Sequence, residues 1–141
     1  MERIKYIDHT ADIIVECYDK TLEKTFEAAA EALFNIMLNI KKVEPKIEYK
    51  IHIEAFDLEE LLLRWLEEFL IIFDSESLVF SDFKIHKIEK NDLWILDAIC
   101  RGEPFDSIKH EFKTGVKAAT YAEMQIKHEK DGWMLHFVLD L

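Results

Sequence analysis

The chain has 141 residues, half of them hydrophobic, with only 3 glycines and 2 prolines, a composition that fits one packed domain over 1–141 and excludes collagen-like, low-complexity and disordered classes. Its 29 acidic against 18 basic residues leave a formal charge of −11, which repels a phosphate backbone and argues against strong direct nucleic-acid binding. The same excess suits a basic protein partner, bound cations, or solubility alone.

Short strands are expected near 3–8 and 12–18. Leu22, Phe26, Ala29, Ala30, Leu33, Phe34 and Met37 then recur at steps of three and four, which predicts a helix over 21–38, with Thr21 as its cap and Glu23 in the first turn where the helix dipole favours an anion. Pro45 breaks the chain. From Ile47 to Ala55 apolar residues alternate with Glu48, Lys50, His52 and Glu54, the period of a strand with one buried face. Asp57 followed by Glu60 signals a helix start, and Leu58, Leu61, Leu62, Trp65, Leu66, Phe69, Ile72 and Phe73 carry helical spacing to Asp74. Four more strands are predicted, at 78–89, 93–101, 116–128 and 133–139. Their separators are Lys90-Asn91-Asp92, Gly102-Glu103-Pro104 and Asp131-Gly132, the last a strong hairpin signal. The order β-β-α-β-α-β-β-β-β predicts an α+β fold with two helices packed on largely antiparallel β-sheet.

Cys17 and Cys100 are the only cysteines. Two thiols so far apart resemble neither a disulfide scaffold nor a zinc cluster, which fits a reducing, cytoplasmic setting. The opening Met1-Glu2-Arg3-Ile4-Lys5 lacks the apolar run of a signal peptide, and charge interrupts every apolar stretch before ~18 residues, so no membrane segment is expected.

Asp8-His9-Thr10-Ala11-Asp12 gathers two carboxylates, an imidazole and a hydroxyl between two predicted strands. Those residue types serve chemistry, and they equally serve as turn-formers. At the other end a strand finishes in Asp140-Leu141, which sets a side-chain carboxylate beside the terminal one. A cation would relieve their repulsion, and oxygen-only ligands favour calcium, magnesium or manganese; a frayed, solvated end is the alternative. Lys109, His110 and Lys117 are isolated cationic or titratable positions, open either to a phosphate or partner contact or to plain solvation. No phosphate-binding glycine loop, Gly-x-Ser-x-Gly, His-Glu-x-x-His or recognisable Cys–His pair is present.

Asp8-His9-Thr10-Ala11-Asp12, Thr21-Leu22, Ala28-Ala29, Ala32-Leu33-Phe34, Leu61-Leu62, Trp65-Leu66, Phe73-Asp74-Ser75-Glu76, Gly102-Glu103, Lys109-His110, Val116-Lys117-Ala118, Thr120-Tyr121 and Leu139-Asp140 together resemble the archease family across essentially the whole chain. The resemblance implies a protein cofactor of an RtcB-type tRNA-splicing RNA ligase, one that promotes guanylylation and multiple turnover of the ligase and broadens its nucleotide use. It also implies a divalent-cation site, calcium in the family's description, that maps onto Asp12, Asp140 and Leu141. Asp8, His9, Lys109, His110 and Lys117 remain candidates for partner or nucleotide contact. Two positions depart from the family pattern: Cys17-Tyr18-Asp19-Lys20 lacks a glycine that many relatives carry, and Ala122 stands where histidine is common. A non-catalytic activator is therefore expected. The competing readings are a small metal-dependent hydrolase using Asp12 or His9 to activate water, and a general chaperone-like interaction module.

Overall fold

The structure is a computed structural model and describes residues 3–8 and 11–141. The elements are β1 (Ile4–Asp8), β2 (Asp12–Asp19), α1 (Leu22–Met37), a 3-10 turn (Ile40–Lys42), β3 (Ile47–Ala55), α2 (Leu58–Glu76), β4 (Leu78–Lys90), β5 (Trp94–Pro104), β6 (Ala118–Glu129) and β7 (Gly132–Asp140). All strand pairs are antiparallel, in two sheets ordered β1-β2-β7-β6 and β3-β5-β4. The α+β class is as expected. The division into two sheets follows from which strands meet across the fold, and local periodicity does not encode it.

Both helices lie between the sheets. α1 packs on β2 and β7 of one sheet and β4 of the other, and α2 reaches β6 on one side and β3 on the other. That placement explains the two helix sequences. In α1 the run Thr25 to Ala30 is buried without interruption, as a helix covered on opposite sides requires, and Ala28-Ala29-Ala30 keeps it thin enough to fit between two layers. α2 instead buries one stripe, Leu61, Leu62, Trp65, Leu66, Phe69 and Ile72. Thr21 Oγ1 accepts from the Lys24 amide and Asp57 Oδ1 from the Glu60 amide, so both expected caps form. Trp65 is fully buried and donates its indole N–H to the Phe26 carbonyl at 2.8 Å, tying α2 to α1. Phe34, Phe69, Phe80 and Phe83 fill the space toward β4 with ring centroids 5.5–6.0 Å apart, and each fully buried side chain contributes about 1.5–3 kcal/mol.

Two turn signals act differently from the local reading. Gly102-Glu103-Pro104 is the end of β5, with Gly102 opposite both Ile47 and Phe80. A Cβ at Gly102 would stand 1.8 Å from the Val79 carbonyl oxygen, so this glycine permits a close strand approach where β4 shifts register. The β6–β7 hairpin turns on Lys130 and Asp131, while Gly132 opens β7 at φ +152 and fits against the Asp19 carbonyl.

Candidate functional site

The antiparallel register brings together two acidic residues far apart in sequence. Asp12, the first residue of β2, is directly opposite Asp140, the last residue of β7, and Ala118 at the start of β6 is opposite Asp140 on its other side. Directly opposed residues point to the same face with Cβ atoms about 4.5–5.5 Å apart. Since Ile13, Val15 and Cys17 enter the core, Asp12 and Asp140 lie on the outer face, and Ala118 leaves open space beside them. Backbone bonds hold the row: the Leu141 amide donates to the Ala11 carbonyl at 3.1 Å, and the Lys117 amide to the Asp140 carbonyl at 2.8 Å. Two rows along the same face, Glu16 sits opposite His136, with Oε2 2.8 Å from Nδ1. That bond, ahead of any other influence, holds the Glu16 carboxyl below its ordinary range.

Asp8 pairs with Ile13, which puts it at the same end of the sheet but on the opposite face from Asp12. His9 lies outside the described residues. Lys117 is exposed and adjoins Asp140 through its backbone.

Lys109 and His110 are held elsewhere, in the loop that crosses from β5 to β6. His110 is fully buried, and both ring nitrogens are used: Nδ1 accepts from the Asp106 amide at 3.0 Å and Nε2 lies 2.8 Å from Glu103. A nitrogen that accepts carries no proton, so Nε2–H donates to Glu103. His110 is thus a structural residue of the loop and presents no surface for a nucleotide. Lys109 Nζ reaches Glu103 at 2.9 Å and Glu44 at 3.0 Å. Glu103 also accepts from the Glu44 amide at 2.9 Å. Burial alone would raise its carboxyl, but the Glu44 amide, His110 and Lys109 outweigh it and bring it down to about 2. Sequence reading missed this network because Glu44, Glu103 and His110 share no local pattern.

The same loop closes the carboxyl end of α1, whose last turn has no basic residue. The Lys113 amide donates to Met37 O at 2.8 Å, and Lys113 Nζ to Asn35 O at 3.1 Å, supplying the cation that the dipole favours there.

The residues present are of the type that holds a hard divalent cation. Asp12 and Asp140 supply carboxylate oxygens on one face, and carbonyl, water or partner oxygens are the donors such ions add. Among the described residues no three His, Cys, Asp or Glu side chains form a metal-holding group, so a cation at these two carboxylates would need further oxygen donors.

Fold and site therefore define a small α+β protein with two helices between antiparallel sheets and an acidic strand end where Asp12 of β2 meets Asp140 of β7. The model of the Archease protein family (MTH1598/TM1083) matches residues 5–141. The chain is 43% identical over 141 residues to protein archease of Sulfurisphaera tokodaii and 46% identical over 142 residues to that of Pyrococcus furiosus, covering 100% of both chains in each case. The solution structure of Methanobacterium thermoautotrophicum protein 1598 superposes with a TM-score of 0.87 at 37% identity, again covering 100% of both chains. This chain belongs to the archease family.

Proposed function

We propose that this chain is a non-catalytic, cytoplasmic activator of an RtcB-type tRNA-splicing RNA ligase, promoting its guanylylation and multiple turnover with a divalent cation, calcium first, held by Asp12 and Asp140 beside Leu141. The observation that carries the reading is the pairing of Asp12 with Asp140 across β2 and β7 in a chain of this family. A divalent cation there would offset the repulsion of two opposed carboxylates and offer a positive charge to the partner's phosphate-bearing centre. The chain's own part is to fix the carboxylates on rigid strand ends, with Ala118 keeping the space beside Asp140 clear.

A helper role also agrees with the charge, since a −11 surface is a poor platform for RNA and a good one for a basic protein. The test is to purify the ligase from the same source and follow guanylylation and repeated RNA joining with and without this chain. Stimulation by the wild type, with no joining, nuclease or nucleotidase activity from the chain alone, is expected. A ligase indifferent to it would overturn the reading, and turnover by the isolated chain that vanishes in Asp12→Asn would replace it with a hydrolase.

A further inference from the structure

The exposed face of α2 carries an aromatic and acidic surface that lies apart from Asp12 and Asp140. Phe56, just before the α2 cap, is 79% exposed, and Tyr121 is 54% exposed. Tyr121 owes its position to a bulge. Between Thr120, opposite Val138, and Gln125, opposite His136, β6 holds four residues where β7 holds one, and Glu123 takes φ 56 within that insertion. Bulges re-aim side chains, and this one turns Tyr121 out of the ladder toward α2. There it meets carboxylates: burial first, then Glu60, Asp57 and Glu67, push its phenol above the ordinary range, with Arg64 acting weakly against them. Phe56 belongs to the same surface, since its amide donates to Glu60 Oε1 at 2.7 Å.

Helical spacing sets Asp57, Glu60, Arg64, Glu67 and Ile71 along one side of α2. Beside that stripe runs a groove of about 190 Å³ formed with His52, Ile53 and Glu54 of β3. Arg64 is committed to Glu60 at 3.4 Å, whereas Glu67 has no hydrogen bond or ion pair among the described residues. An aromatic face beside a carboxylate free to pair, as Glu67 is, attracts guanidinium and ammonium groups by cation–π and ionic contact together. The same charge repels RNA, an anionic membrane and a second copy of this −11 chain. Tyr121 lies three residues along β6 from Ala118, the neighbour of Asp140, but turns toward α2, away from the outer face that carries Asp12 and Asp140.

We propose that Phe56, Tyr121 and Glu67 form the docking surface for an arginine- or lysine-bearing segment of the ligase; this rests on the ligase-activator reading above. The experiment measures the dissociation constant for the purified ligase, over a range of salt, for the wild type, Phe56→Ser/Tyr121→Ser, Tyr121→Phe, Glu67→Lys and Asp140→Asn, with melting curves confirming that each is folded. These side chains are exposed, so folding should persist. Binding should weaken about tenfold or more in the serine double variant and in Glu67→Lys. The Glu67→Lys variant should also show a flatter salt dependence, and Tyr121→Phe should bind as the wild type does. Asp140→Asn should fail to stimulate even at saturating concentration, while the serine variant should stimulate once its concentration exceeds its weakened dissociation constant. Wild-type binding with no change in the face variants would overturn the docking surface alone. Loss in the serine variant with salt-independent binding and a silent Glu67→Lys would assign the face to an apolar partner segment and overturn the cationic one. Self-association of the wild type that the serine variant abolishes would assign it to a second copy, with the same consequence. Failure of the wild type itself to bind the ligase would remove the activator reading and this proposal with it.

Discussion

Glu103 shows how one side chain organises the crossing between the sheets. It is 5% exposed and accepts from the Glu44 amide, Lys109 and His110. Replacing it with alanine leaves the His110 Nε2–H donor buried without a partner, a loss of about 1–3 kcal/mol to be read from urea unfolding at neutral pH. The pH dependence has a definite sign. A carboxyl held at about 2 in the fold and near 4.5 when unfolded contributes stability that is fully present above the unfolded value and lost as pH falls toward the folded one. The gap between wild type and Glu103→Ala should therefore be constant from neutral pH down to about 5 and narrow below about 4.5; a gap that widens on acidification would contradict the assignment. Lys109 and His110 were legible as isolated cationic or titratable positions. Their partners were not, because a buried ion network is set by which distant backbones meet.

The elements themselves were largely legible. Alternation at Ile47–Ala55 gave β3 its observed bounds, and the caps at Thr21 and Asp57 located both helix starts. Where local reading failed, a close approach between strands was responsible. Gly-Glu-Pro has breaker composition, yet Gly102 pairs on both sides in the middle strand of its sheet because only a residue without Cβ fits against Val79. Gly102→Ala forces backbone to move in β4, and overpacking of that kind costs about 3 kcal/mol or more. Thermal unfolding is the check, and a variant within about 0.5 kcal/mol of wild type would show that β4 yields freely. The bulge in β6 escaped notice for a related reason. Thr120 to Gln125 reads as continuous strand, and the extra residues appear only against β7.

At the scale of the molecule, the candidate site is a product of topology. Asp12 and Asp140 were legible as acidic residues at strand ends, but their convergence depends on β7 inserting between β2 and β6. The cation proposal can be tested on the whole fold, because an ion that binds only the native state stabilises it by RT ln(1 + [L]/Kd), about 2.7 kcal/mol at a hundredfold excess over Kd. Calcium should raise the melting temperature of the wild type well beyond an equal ionic strength of sodium chloride. The sodium control matters here, since any salt screens the self-repulsion of a chain with charge −11. That general effect should survive in every variant. The specific increment should be largely lost in Asp12→Asn and in Asp140→Asn, because each removes one of two opposed carboxylates. Glu67→Gln, which takes one charge from the α2 face and none from the strand end, should retain it. If calcium protects both aspartate variants as well as the wild type, the cation is held by diffuse charge, and Asp12 and Asp140 are not its ligands.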